Sequence, residues 1–324
     1  LANNTTGQDN VAIGLQAAVN NTTGNYNVAV GLAALHQNTT ASNNTAVGYR
    51  AAYNNTTSNR LVAIGQEAAF GQATGSENTY VGYQVGPQTV TNASGSYNVG
   101  IGAFANRSNT TGSHNTITGF QAGYYNSTGN YNHYFGHQTG YTNSTGSNNV
   151  GMGHVTLYYN TGSNNTGIGH GALSANQSAS NNTSVGASSL ATNTTGNYNT
   201  AVGQGSGRYN TTGSENVMFG VAALEDNTTG TYNTAVGSEA LTNNITGNYN
   251  TSVGRQAGYS ITGANYNTNV GYQAGRDSLN ANSTLIGAFA GYYLTYSGTG
   301  QNTFIGYNSG GAMTSGRYNT ILGS

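Results

Sequence analysis

The chain has 324 residues, of which only 5% are charged, with seven arginines set against eight carboxylates for a net charge of -1. That balance gives no electrostatic footprint for nucleic acid or for an anionic membrane surface. Cysteine is absent, which rules out disulfides and thiol chemistry, and no apolar run reaches the roughly 18 residues a membrane-spanning helix needs.

A five-residue block opens at Asn10-Val11-Ala12-Ile13-Gly14 and recurs to Gly323, nineteen times in all. The spacing is 17 residues nearly throughout. A three-residue insertion precedes Gly102 and a two-residue insertion precedes Gly306, while single deletions precede Gly169 and Gly287. Such a period means one supersecondary unit stacked on itself. Gly, Asn, Ser and Thr richness could also mean disorder, but the residue before the block glycine is apolar in 18 of 19 repeats, with Thr118 the exception. A disordered tract has no reason to hold one position apolar.

Within one repeat the elements follow in order. The block itself, as in Asn199-Thr200-Ala201-Val202-Gly203, reads as a short strand because Val or Thr recurs at its second position. Thr200 and Val202 share one face, Asn199 and Ala201 the other. The apolar Val is expected to point inward, in a thin core of one Val or Ile, one Val or Thr, one Ala and sometimes Leu per coil. The block glycine ends the strand, through a positive φ or a close backbone approach. Three residues on comes a small residue such as Ala34, followed by Leu35 or a glycine, which reads as a second short strand or arc. The Ala/Gly face suits lateral association. Asn-Thr-Thr-Gly, as at Asn210–Gly213, then closes the coil by turn chemistry. No segment carries a 3.6-residue apolar period, so no helix is expected.

The fold class expected is therefore all-β, a parallel β-solenoid (β-roll) of about 19 coils with 17 residues each. Residues 1–324 are read as one continuous array, excerpted from a longer chain. At about 4.7–4.9 Å per coil such an array would be on the order of 90 Å long. Equivalent residues should form ladders, with Asn27, Val30 and Gly31, or Asn199, Val202 and Gly203, as representative structural rungs. Stacked asparagines can bond one another along the axis.

Candidate chemistry is sparse. The carboxylates sit at differing positions in the coil, and no pair or triad suggests an enzyme or a cofactor. His137, His154 and His170 each follow a block glycine in consecutive coils, with His133 nearby, and are the only metal candidates. The same position elsewhere holds Leu15, Tyr49, Gln66 and Arg255, which favours a plain surface ladder over a metal site. Tyrosines recur just before the Asn ladder (Tyr26, Tyr97, Tyr131, Tyr198, Tyr232, Tyr249, Tyr266, Tyr318), where they could stack on sugars or clamp coil to coil. The N-glycosylation pattern recurs in register at Asn21, Asn38, Asn55, Asn109, Asn126, Asn143, Asn176, Asn193, Asn210, Asn227 and Asn244, on turns from which a glycan could point outward. The alternative is that Asn-Thr-Thr-Gly is simply good turn chemistry.

The block Asn-(Val/Thr)-Ala-(Val/Ile)-Gly, best seen at Asn10–Gly14 and Val62–Gly65, resembles the head repeat of YadA-like trimeric autotransporter adhesins and longer repeats of phage tail fibres. The resemblance covers the whole chain, although the repeat here is 17 residues rather than the family's 14. It implies a trimer wound about one axis, displayed outside the cell or on a virion, with itself and cell-surface glycans or a receptor as partners. The function it implies is a structural and adhesive fibre acting through many weak contacts. The alternative is a non-adhesive, N-glycosylated filament of end-stacked solenoids.

Overall fold

The computed structural model describes residues 1–88, 92–295 and 298–324. They fall into two compact units, Leu1–Asn164 and Asn165–Ser324. Each unit is a parallel β-solenoid with about 17 residues per turn, and no helix occurs among the described residues.

In the first unit nine three-residue strands stack in register: β1 Val11–Ile13, β2 Val28–Val30, β3 Thr45–Val47, β4 Val62–Ile64, β5 Thr79–Val81, β6 Val99–Ile101, β7 Thr116–Thr118, β8 His133–Phe135 and β9 Val150–Met152. Each pairs in parallel with the next, as Val28↔Thr45 and Val30↔Val47. In the second unit the main sheet comprises β10 Thr166–Ile168, β11 Thr183–Val185, β12 Thr200–Val202, β13 Val217–Phe219, β14 Thr234–Val236, β15 Thr251–Val253, β16 Thr268–Val270, β18 Thr284–Ile286, β20 Thr303–Ile305 and β21 Thr320–Leu322. Two shorter strands, β17 Asn280–Ala281 and β19 Gly298–Thr299, pair beside it. Insertions leave the main register untouched. Thr79 still meets Val99 across the three-residue insertion, and Thr284 meets Thr303 across the two-residue one.

The strands have their faces reversed from the sequence expectation. Ala201 is fully buried, while Thr200 and Val202 on either side are half-buried and turned outward. Val30 is likewise half-buried on the outside of the coil, and Ile13, Met152 and Phe219 are exposed. Because side chains alternate across a strand, the asparagine starting each block must share the inner face with the alanine. A buried amide is tolerable where its hydrogen bonds are made, and at Asn199 they are. The Asn199 backbone N–H donates to Asn182 Oδ1 (2.9 Å), its side-chain Nδ2 donates to the Gly213 carbonyl (2.8 Å), and its Oδ1 accepts from the Asn216 N–H (3.0 Å). Asn27 repeats this in the first unit, donating to Asn10 Oδ1 and the Ala41 carbonyl.

Among the described residues the small residue three places after the block glycine lies in an arc and not in a strand. The arc places single residues in the left-handed region, such as Ala33 (φ 56°) and Leu35 (φ 48°). This conformation is uncommon for residues with a Cβ, and inter-coil hydrogen bonds hold it. The Ala33 N–H donates back to the Leu15 carbonyl (2.9 Å) and the Leu35 N–H donates forward to the Ala51 carbonyl (3.0 Å). Gly203, at φ 137°, has a different reason for lacking a side chain, since a Cβ there would run into the Gly220 carbonyl. The arc alanines, Ala17, Ala34 and Ala51 among them, are buried inside the coil, so the Ala/Gly face expected to support lateral association is not a surface.

The core is filled by reciprocal sizes. Where the middle strand residue is Ala29 or Ala235, a leucine six residues on, Leu35 or Leu241, fills the coil. Where it is large, as at Ile117, Tyr134, Leu285 or Phe304, the residue six on is Gly123, Gly140, Gly291 or Gly310. A Cβ on any of these glycines would meet that large side chain. The neighbouring coil can also yield, as Gly151 does beside Tyr134 and Gly207 does beside Met218.

Candidate interaction surfaces

The eleven sequon asparagines, Asn21, Asn38, Asn55, Asn109, Asn126, Asn143, Asn176, Asn193, Asn210, Asn227 and Asn244, are all fully buried. The outward-pointing glycan site is thus corrected to a second interior amide ladder. Asn210 Nδ2 donates to Asn193 Oδ1 (2.7 Å) and to the Gly213 carbonyl three residues on (2.9 Å), and Asn227 Nδ2 donates to Asn210 Oδ1 (2.6 Å). The Gly213 carbonyl therefore accepts from both ladders, Asn199 on one side and Asn210 on the other, and so closes the coil. The turn runs on a three-residue rhythm: Asn21, Gly24 and Asn27 inward, Thr22 and Asn25 half-buried, Thr23 and Tyr26 outward. Thr22 Oγ1 donates to the Thr39 carbonyl of the next coil (3.0 Å).

The tyrosines before the Asn ladder are outward, and several form continuous stacks. Tyr232 lies 4.9 Å from Tyr249 with rings 3° from parallel, and Tyr249 lies 5.0 Å from Tyr266 at 1°. In the first unit His114 is stacked between Tyr97 and Tyr131, 4.8 Å from each. Stacking covers the ring faces with one another and leaves rims and hydroxyls to solvent. These stacks clamp coil to coil, and their covered faces cannot serve a sugar. At Tyr232 a hydrogen bond from the phenol to Glu215 holds its proton above the ordinary tyrosine range.

His137 and His154 sit on the outside of adjacent coils in the first unit, ring centroids 5.0 Å apart and tilted by 31°. His137 also stacks on Phe120 at 5.3 Å. His133 is exposed at the start of β8, and His170 belongs to the second unit. Among the described residues no group of three or more His, Asp or Glu side chains is placed to hold a metal ion. Arginines pair with carboxylates across one coil step at Arg50–Glu67 (3.5 Å), Arg60–Glu77 and Arg208–Glu225 (3.8 Å). Arg276 pairs with its neighbour Asp277 at 3.0 Å.

Two tyrosines are wholly interior. Tyr80 and Tyr134 stand at mid-strand, and burial pushes both phenols well above their usual range. The amides of Asn149 and Asn160 lie near the Tyr134 hydroxyl, yet it has no hydrogen bond of good geometry. The sequence carries a signal for these sites, since Tyr80 and Tyr134 are the tyrosines at a position otherwise held by Ala, Gly, Ser, Asn or an aliphatic, Met or Phe side chain in the described strands.

Each unit also presents the outer face of its main-sheet strands. Its rows are Thr or Val at the first strand residue, apart from His133, and Val, Ile, Phe, Met or Leu at the third, apart from Thr118. Val217 and Phe219, Ile64, Ile101 and Ile305 are all exposed. No family model matches the chain, and no curated protein matches it.

Proposed function

We propose that the protein is a segment of a structural and adhesive fibre, assembled from several copies of this chain through the outer strand face and working by multivalent contact. The observation that carries this reading is the apolar row at the third strand position. The coil interior does not need it, because that residue points outward. Strand propensity alone would select β-branched residues, but Phe135, Met152, Phe219 and Leu322 also occupy it, so the shared property is apolarity. An apolar stripe this long on a lone molecule marks an interaction site.

Completing the burial of one such half-exposed side chain contributes about 1 kcal/mol. Nine or ten coils in a unit together can offset an association cost of about 4–15 kcal/mol, which one coil cannot. The resemblance to YadA-like heads supports three chains and display outside the cell or on a virion. The paired carboxylates support an assembly role over catalysis. The end-stacked filament remains a second reading only without its N-glycan sheath, since the sequons are interior. The decisive experiment is the native mass in solution of the wild type and of a Val202→Asp, Phe219→Asp variant. Three chains falling to one is the expected result. A monomeric wild type would overturn the reading.

A further inference from the structure

A second aromatic column runs along the first unit, five residues after the block glycines. Tyr124 and Tyr141 stack at 5.3 Å, and Tyr141 and Tyr158 at 4.9 Å with rings 10° from parallel. The column is pinned at one end by Arg107, whose guanidinium donates to the Tyr124 hydroxyl (2.9 Å). Two further tyrosines lie against it crosswise. Tyr125 is 4.7 Å from Tyr124 at 67° and 5.3 Å from Tyr141 at 87°, and Tyr159 is 4.7 Å from Tyr158 at 79°.

The geometry decides what these rings offer. Tyr124 and Tyr141 already cover each other's faces, so Tyr125 meets them along their rims. Tyr125 therefore lies beside the column, steeply inclined to both of its rings, with about half of its surface open to solvent. Tyr159 sits against Tyr158 in the same manner. Both are about half exposed, at 48% and 56%. Between them stands Thr142, a short side chain whose hydroxyl donates to the Tyr158 carbonyl (3.0 Å) and so lies close to the surface. Tyr125 and Tyr159 are two coils apart, which at the strand spacing is about 10 Å.

Flat aromatic faces that are apolar in the middle and carry a hydroxyl at the rim are suited to the C–H face of a pyranose ring. In an extended β-1,4-linked chain each sugar is turned over relative to the last, so the same face returns every second sugar, at a repeat close to the separation of these two rings. No carboxylate occurs between Glu77 and Glu215 in the sequence, so nothing here selects a cationic ligand. We infer that Tyr125 and Tyr159 are two platforms of one binding site for a neutral, extended β-1,4-linked polysaccharide, stacking on alternate sugars. The column behind them fixes their orientation before binding, which reduces the entropy lost on association. Two weak platforms on one rigid support bind far better than either alone. The inference names a ligand for the adhesive reading, but the site lies within one chain and does not need the oligomer.

The test is depletion of the full chain from solution by crystalline cellulose and by chitin, with granular starch as the α-linked control. Wild type should partition onto at least one β-1,4-linked solid, and the preferred solid identifies the sugar. Tyr125→Ala with Tyr159→Ala should weaken that partition at least about tenfold, while Tyr125→Trp with Tyr159→Trp should keep it. If the double alanine variant melts early, Tyr125→Leu with Tyr159→Leu keeps apolar cover without a ring and gives the same contrast. No depletion by either β-linked solid, equal depletion of the ring-less variant, or equal binding to starch would overturn the inference. A monomeric protein that still binds would sink the assembly proposal and leave this one standing.

Discussion

At the residue scale the asparagine side chain decides most of the structure. It is long enough to reach one coil spacing and carries both a donor and an acceptor, so a stack of amides satisfies itself. Replacing Asn210 with Ala takes the donor from Asn193 Oδ1, while the Gly213 carbonyl keeps Asn199 and Asn227 Nδ2 keeps the Gly230 carbonyl. One buried unsatisfied acceptor costs about 1–3 kcal/mol and each of the two other lost hydrogen bonds about 1 kcal/mol, so we expect a loss of about 2–5 kcal/mol in chemical denaturation. Treatment with a deglycosidase should leave the mass of the wild type unchanged. The buried tyrosines set a limit at the alkaline end. Tyr80 and Tyr134 keep their protons in the folded state above the ordinary value of 10.0 at which unfolded tyrosines ionise. The unfolded chain then binds fewer protons than the native one, so stability present below about pH 10 declines as the pH rises beyond it. Melting curves from pH 8 to 12 should show that decline, and it should be smaller in a Tyr80→Phe, Tyr134→Phe variant. An unchanged slope would count against interior phenols.

At the element scale the strand is too short for propensity to orient it, and alternation alone permits either face to be inside. The repeat, the strand at Asn199–Val202 and the block glycine could all be read from spacing and residue type. The facing of Val30 and Val202 could not, because ranking the two faces by hydropathy puts valine inside and asparagine out. That ranking omits the self-satisfied amide ladder, whose hydrogen bonds cancel the usual cost of burying Asn. The same omission turned Asn210 into an apparent surface acceptor. The size exchange between Tyr134 and Gly140, or Ala235 and Leu241, was present in the sequence as paired positions six apart. It was invisible until the two were known to share one interior. It predicts coupling between coils. A Cβ on Gly151 would lie 3.1 Å from Tyr134 Cδ1 and closer still to Thr139 Cγ2, so Gly151→Leu should destabilise by about 1–3 kcal/mol through overpacking. Adding Tyr134→Ala should recover part of that loss, and a double-mutant cycle that came out additive would refute the shared-volume account.

At the scale of the whole molecule the two surfaces of each coil answer to different demands. The inner surface repeats its amides in most coils, with Leu61 and Ser283 interrupting one ladder and Gln72, Ile261 and Ser278 the other, and it adjusts its apolar filling around them. The outer strand face keeps apolar character with freely varying shape, from Val202 to Phe219, which fits a role decided by what packs against it. For that reason Val202→Asp and Phe219→Asp should lower the native mass while leaving secondary structure by circular dichroism intact, since neither side chain contributes to the coil interior. Loss of the fold together with the assembly would instead mean that the coils cannot stand without their neighbours. Aromatic side chains divide in the same way, the Tyr232–Tyr266 stack binding coils together and Tyr125 and Tyr159 standing half exposed beside their column.

The backbone ladder of asparagines has a consequence for how such a gene can change. Because most coils offer their successors the same amide donors and acceptors, they could be duplicated or deleted whole by slippage between repeats in the DNA, and the remaining ladder would rejoin in register. The coils around Tyr80, Tyr134, Met218 and Leu285 are the exception, since each borrows space from a glycine next door and would lose its fit if separated. Copy-number changes should therefore accumulate among the alanine-centred coils and stop at those matched pairs, so that the interior leaves its mark on which lengths of the protein can be inherited.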